Sequence, residues 1–267
     1  MYHGDDHIGG IYHFLNTLRK LIDSYLISKV VVFWDGEDNI KPRVKIYPDY
    51  KLNRRSKPRT QDDLQSYARQ KLRIQEYLEE LYVRQSTFKW CEADDCMAYY
   101  CEKSSKEDII ILTSDRDLLQ LISQNISVHV ISLNKLFKND EKVPLNGIYL
   151  PPSNVRVVKS ICGDSSDNIS GIKMVGVKSL IKIIPEILEK KVTLKKIIDI
   201  IKSKNKINKK EKNILEGVTQ KPVNMNYEET QNASVLETNY KIIGVGKQFL
   251  TKNAVNGIKT YQEKLLT

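Results

Sequence analysis

Two acidic groups flanking a short apolar run constrain this chain more than any other feature. Residues 91–117 carry Glu92-Ala-Asp94-Asp95 and then Ile109-Ile-Ile-Leu-Thr-Ser-Asp115-Arg-Asp117. The run 109–112 is β-branched and bounded by polar residues, which reads as a buried central strand. Asp115 and Asp117 then fall at its carboxyl end, where functional groups of open α/β sheets collect, at the entry to a helix over 118–124. Glu92, Asp94 and Asp95 follow a second strand-like run, 86–90. The carboxylates are expected to converge on one sheet edge. Crowded like charges stay ionised only with positive charge among them, and hard cations with oxygen ligands, Mg²⁺ or Mn²⁺, answer that need. Plainer readings exist: an Asp after a strand caps a helix, and acidic residues favour a helix start. A third pair, in Gly163-Asp164-Ser-Ser-Asp167-Asn168, is harder to explain as one more unrelated cap.

The chain has 267 residues, 40% hydrophobic and 28% charged, enough for one α/β domain with an appendage. Its formal net charge of +10, beside acidic groups, suggests a polyanionic substrate met through metals. Codon bias toward Lys, Ile and Asn is the plainer account. Cys91, Cys96, Cys101 and Cys162 match no zinc spacing and read as reduced thiols of a cytoplasmic protein. No apolar run approaches a membrane span, and no signal peptide is visible.

In chain order, residues 1–10 read as a loop. Ile11, Phe14, Leu15, Leu18, Leu21 and Ile22 mark an amphipathic helix packed on a sheet. Residues 29–34 form a strand ending in Asp35-Gly36. Residues 39–59 are cationic and Pro-punctuated, with Lys41, Arg43, Lys45, Lys51, Arg54, Arg55, Lys57 and Arg59 around Tyr47 and Tyr50. That mixture suits phosphate contact with base stacking, or simply a solvated loop. Thr60 caps a helix to about Tyr82, with a stripe of Leu64, Tyr67, Ala68, Leu72, Leu78 and Leu81. A helix over 93–102 and a strand over 127–132 with a structural His129 follow. Residues 133–146 read as a polar connector and 155–162 as a helix. Residues 163–184 then form a Gly-containing helical hairpin, able to grip a phosphodiester backbone without reading bases, or an ordinary hairpin. Three segments are expected: an α/β core over 1–150, a basic helical region over 151–230, and a tail over 231–267 that returns to the body.

The order of these motifs closely resembles the flap endonuclease / 5′→3′ exonuclease family, the structure-specific 5′-nucleases, over roughly residues 8–190. The motifs are Asp35-Gly36, Tyr50-Lys51-Leu-Asn-Arg54, Glu92-Ala-Asp94-Asp95, Thr113-Ser-Asp115-Arg-Asp117, Gly163-Asp164-Ser-Ser-Asp167-Asn168 and Gly171-Ile-Lys-Met-Val-Gly176-Val-Lys178. The resemblance implies an α/β fold with a mainly parallel central sheet, a helical arch over 41–82, and a helix–three-turn–helix element that binds duplex DNA and K⁺. It implies Glu92, Asp94, Asp115 and Asp117 as ligands of two Mg²⁺ or Mn²⁺ ions, with Asp35, Asp95, Asp164 and Asp167 as further acidic positions. Lys51 and Arg54 would meet the scissile phosphate, and Arg55, Lys159, Gly171, Gly176 and Lys178 would join them in holding DNA. The implied activity is hydrolysis near 5′ ends of flapped, nicked or branched DNA by a monomer, beside a replicative polymerase. A departure accompanies this: the family's opening strand and its Asp have no counterpart, and Asp5 and Asp6 lack a preceding strand. Either Met1 lies downstream of the true start, or one ligand is missing and catalysis is weak. A DNA-structure-binding protein without catalysis and a PIN-type single-strand ribonuclease are the alternatives.

Overall fold

The computed structural model describes residues 2–3, 6–56, 60–222 and 233–263. The chain opens with Tyr2–His3 (β1) paired antiparallel to Asp6–His7 (β2), where a loop was expected. The β-branched run Val31–Trp34 (β3) lies parallel to Arg84–Thr87 (β4), register Val31↔Arg84 to Trp34↔Thr87. Ile109–Thr113 (β5) lies parallel to Ile126–Val130 (β6), and Lys135–Phe137 (β7) adds an antiparallel edge. The α/β class with parallel pairing is as expected. The parallel strands nevertheless fall in two sheets among the described residues, β3-β4 and β5-β6-β7, rather than one. Side chains join them: Val31 and Phe33 of β3 and Ile109 of β5 pack on one cluster around Tyr99 and Tyr100.

β4 begins two residues earlier than its apolar residues suggest. Pairing with β3 is complete at Thr87, so Phe88 and Trp90 fall in the loop beyond it. His129 is structural as expected, buried in β6 with its Nδ1 2.9 Å from the Tyr25 hydroxyl. The expected connector 133–146 contains strands: β7 lies in it, and Val143–Leu145 (β8) pairs in a hairpin with Ile148–Leu150 (β9) just beyond it. Asn146 and Gly147 (φ 49° and 81°) supply the left-handed pair that such a two-residue turn requires.

The helix Gly9–Tyr25 (α1) packs on Gln61–Glu80 (α4), and Phe14 stacks on Trp34 at 6.0 Å between ring centroids. Thr60 caps α4 by accepting from the Asp63 N–H at 3.1 Å, a contact contributing about 1 kcal/mol. Of the stripe expected on α4, Leu78 is buried, with Ile74 beside it, while Leu64, Tyr67, Leu72 and Leu81 are exposed. The buried face covers only the half of α4 next to β4.

The stretch 41–55 departs most from expectation. It forms Lys41–Ile46 (α2) and Leu52–Arg55 (α3), and residues 57–59 lie outside the described set. Arg43, Ile46, Tyr47 and Tyr50 are buried, packed with Ile169, Ile242, Ile243 and Phe249. Arg43, Tyr47 and Tyr50 are therefore interior groups and not phosphate or base contacts.

Ala93–Lys103 (α5) packs on β3 and on the C-terminal helix Lys252–Glu263, whose Ala254 and Ile258 are fully buried. Val155–Cys162 (α6) leads into Gly163–Asp164 (β10), paired with Ile169–Ser170 (β11), and then Val177–Ile183 (α7). One apolar cluster runs from Cys101 to Leu236, so the sheet β5-β6-β7 and the helices after it share a core. Helix Val235–Ile243 packs on α6. No described helix is long and apolar enough to cross a membrane.

Candidate metal centre

The site starts where α5 starts. Glu92 is the last extended residue before the helix, and Asp94 and Asp95 occupy its first turn, where the helix dipole favours carboxylates. Asp35, at the end of β3, accepts from the Ala93 N–H at 2.9 Å and so ties that strand to the same turn. Asp115, at the end of β5, caps the 3₁₀ turn Arg116–Leu121 by accepting from the Asp117 N–H at 2.8 Å. The plain capping reading is thus true of Asp115, yet the cap uses one carboxylate oxygen. Asp94 stands among the others. Burial, then the charges of Asp115 and Glu92, push its pKa up to about 7; Lys51 opposes this and Asp35 adds to it.

A second group lies beside Asp115. Asp117, Asp164 and Asp167 each offer an oxygen within 4.8 Å of the others. Asp117 is pushed up to about 6 by burial, offset by Lys159 and reinforced by Asp115 and Asp164. Asp164 is turned toward Lys159, 2.7 Å away, and accepts from the Ser166 N–H and hydroxyl at 2.9 and 2.6 Å. Burial raises the pKa of Asp164, but these contacts outweigh it and hold the group below its ordinary value. Burial dominates at Asp167 and raises it, against Lys51 and Arg54.

Lys51, Arg54 and Lys159 serve these acids from the cleft side, and Arg43 holds Glu92 from the interior. Lys51 has left-handed backbone (φ 54°), donates its N–H to the Asp167 carbonyl at 2.9 Å, and reaches Glu92 with its ammonium. The Tyr50 hydroxyl donates to the same Glu92 at 3.2 Å. Arg54 is half exposed, 3.0 Å from Asp167 and 3.1 Å from the Ser166 carbonyl. Lys159 bridges Asp117 and Asp164. An open cleft of about 860 Å³ exposes Arg54, Asp115, Asp117, Asp164 and Ser166 together.

The structure brings Asp117, Asp164 and Asp167 within reach of one another, places Asp115 in the same cleft, and sets Asp94 where the charges of Asp115, Glu92 and Asp35 all act on it; Lys51 contacts Glu92 and Arg54 contacts Asp167. It does not gather Asp95. That carboxylate is fully buried, held by Arg43 at 2.5 and 2.9 Å and by the Gly246 N–H at 2.9 Å, and it faces away from the cleft. Arg43, which sequence reasoning placed on the surface, also binds Glu92 at 2.7 Å and the carbonyls of Ile242 and Gly244 at 3.0 Å each. Ile40, Val44 and Tyr47 recur at helical spacing, the signal that could have placed this segment inside. Lys159 is buried and committed to two carboxylates, so it is no open DNA contact. Gly171 abuts α6, where an added Cβ would lie 2.2 Å from the Cys162 carbonyl carbon. Gly176 and Lys178 are exposed at the start of α7. The Arg55 side chain lies outside the described residues.

Residues 2–145 match the family model of the 5′-3′ exonuclease N-terminal, resolvase-like domain, more than half of the chain. The chain belongs to the 5′-3′ exonuclease family. Relatives include the 5′-3′ exonuclease of Buchnera aphidicola (subsp. Schizaphis graminum), 31% identical over 180 residues, covering 64% of this chain and 58% of the relative. That of Bacillus subtilis is 31% identical over 185 residues, covering 66% and 58%. The chain therefore spans 58% of the length of either relative. Among solved structures, bacteriophage T5 5′-exonuclease with bound zinc superposes with a TM-score of 0.68 at 20% identity, covering 93% of this chain and 89% of that one. The T5 D15 flap endonuclease complex with DNA and metal ions gives 0.64 at 19% identity, covering 94% and 90%. At those identities the likeness is one of fold, and it covers nearly the whole of this 5′-3′ exonuclease family member.

Proposed function

We propose that this chain is a divalent-metal-dependent, structure-specific 5′-nuclease that hydrolyses DNA phosphodiesters near 5′ ends. The single observation that carries the reading is the crowding of carboxylates around one cleft. Burial, reinforced by neighbouring carboxylates, raises Asp94 to about 7 and Asp117 to about 6, and Lys51 and Lys159 only partly offset this. An all-oxygen donor set short of positive charge fits Mg²⁺ or Mn²⁺. One ion fits the Asp117, Asp164 and Asp167 oxygens, which lie within 4.8 Å of one another; a second would draw on Asp94 and the carboxylates whose charges reach it, Asp115, Glu92 and Asp35. Bound there, such ions supply an activated water and charge stabilisation at the phosphate.

The chain's own residues do the rest. Lys51 and Arg54 stand beside both groups and neutralise a phosphate entering the cleft. Arg54 keeps its guanidinium half exposed, with donors free for phosphate oxygens. Arg43 fixes Glu92 from behind. Segment 1–150 forms the cutting part, and Gly176 and Lys178 within 151–230 hold duplex backbone, with K⁺ at the Gly171–Gly176 turn. Exposed Lys173 and Lys178 flank that turn and suit phosphate contacts that recognise shape over sequence. The substrates are flapped, nicked or branched DNA.

The test is cleavage of a 5′-flap DNA with Mg²⁺, Mn²⁺ or EDTA, against single-stranded RNA of the same length. Metal-dependent cutting near the flap junction supports the reading. Preference for the RNA, or cutting that survives EDTA, overturns it.

A further inference from the structure

Trp90 is a bulky residue in a place that disfavours one. Its backbone is left-handed (φ 64°), a conformation that bulky non-glycine residues rarely adopt. The loop is fixed in that shape from two sides. The Trp90 N–H donates to the Glu37 carbonyl at 2.8 Å, and the Gly36 N–H donates to the Cys91 carbonyl at 3.1 Å. Gly36 lies so close that an added Cβ would sit 1.9 Å from the Phe88 carbonyl oxygen. Strain held this firmly usually serves a purpose beyond packing. Packing is not the purpose here, because the Trp90 side chain is 42% exposed.

Two ammonium groups flank the ring, Lys41 at 5.2 Å and Lys89 at 5.9 Å from its centroid. Their acidic partners, Asp38 at 3.7 Å and Glu37 at 3.0 Å, form exposed pairs that contribute little and exchange readily. The position is specific as well. Only Cys91 separates Trp90 from Glu92, so their Cα atoms are at most about 7 Å apart. Glu37 follows Asp35 by two residues. An exposed aromatic face with two ammonium groups at its rim therefore stands on the loop that leads directly into the acidic residues Glu92 and Asp94.

We propose that Trp90, with Lys41 and Lys89, is a stacking platform for an unpaired nucleobase of the single strand next to the cut phosphodiester. A base on the indole displaces one lysine from the ring, and that ammonium then meets the adjoining phosphate. Aromatic stacking tolerates any base, which suits an enzyme that recognises shape. The inference rests on the nuclease reading for its substrate and adds a residue group that this reading leaves idle.

The chain has two tryptophans, so Trp34→Phe isolates Trp90 as the fluorophore. In that background, with Ca²⁺ supplying divalent charge, oligo(dT) should quench Trp90 emission, and an abasic strand of equal length should not. Trp90→Ala should weaken 5′-flap DNA binding by about fivefold or more, the range of one stacked base at about 1–3 kcal/mol. Trp90→Phe should recover most of the loss, and the loss should vanish when the flap is abasic. Equal quenching by both strands, or an equal loss on abasic flaps, overturns the platform. Cleavage by the unaltered chain is scored separately. Quenching without cutting removes the nuclease reading and keeps the platform; cutting with an indifferent Trp90 does the reverse.

Discussion

Arg43 and Asp95 form a bidentate ion pair, 2.5 and 2.9 Å long, between two side chains that solvent scarcely reaches. The guanidinium also faces Phe249 at 3.9 Å from its centroid. One cation thus ties α2, the start of α5 and the C-terminal segment into a single support behind Glu92.

Breaking that pair from one side leaves a buried charge without a partner. Arg43→Met should therefore destabilise the chain by about 3–5 kcal/mol, and Arg43→Lys should restore little, since an ammonium cannot match the fork. Urea denaturation followed by circular dichroism measures both. A loss below about 1 kcal/mol for Arg43→Met would show that the pair supports nothing.

The same geometry separates Asp95 from its acidic neighbours. Asp95→Asn should lower the melting temperature yet leave Mn²⁺ affinity nearly unchanged in calorimetric titration. Asp94→Asn should do the opposite. Equal losses of metal affinity in the two variants would place Asp95 in the cleft after all.

Asp94 and Asp117, at about 7 and 6 in the folded chain against an ordinary 3.8, give a pH dependence of known sign. Both are raised, so between pH 4 and 7 the folded state binds more protons than the unfolded one. Their stabilising contribution is complete below about pH 4 and is lost as pH rises through 6 and 7. The metal-free chain should accordingly lose stability from these groups between about pH 4 and 7, and Mg²⁺ should raise the melting temperature more at pH 8 than at pH 5. Thermal melts at the two pH values, with EDTA and with Mg²⁺, check the sign.

Lys159 partly fills the role of a cation between Asp117 and Asp164. Lys159→Met should destabilise the metal-free chain by about 3–5 kcal/mol, the cost of orphaning buried carboxylates. Divalent ions should rescue the variant more than the unaltered chain. Melting temperatures at matched Mg²⁺ concentrations decide this; equal shifts would mean the lysine and the ion do not compete for the same charge.

Much of this was legible in the chain. Apolar runs ending in Asp35 and Asp115, and the pair Asp94-Asp95 opening a helix, marked a sheet edge because strand and cap chemistry are local. Thr60 announced α4 for the same reason. The burial of Arg43 was not legible, because its partners lie 49 to 201 residues away in sequence and no local pattern separates a buried arginine from a solvated one. The end of β4 was misplaced because Phe88 and Trp90 look like strand residues, while the parallel register with β3 stops at Thr87. Lys159 stood among the DNA contacts only through the family resemblance; its carboxylates come from another element and from five residues ahead.

The most direct test of the metal centre is single-turnover cleavage of a 5′-flap DNA in Mg²⁺ by the unaltered chain and by Asp115→Asn, with binding measured beside it. The account predicts metal-dependent cutting that falls by more than about 100-fold in the variant, since several kcal/mol of charge stabilisation is lost, with DNA affinity kept within about threefold. Unchanged turnover in Asp115→Asn would contradict it.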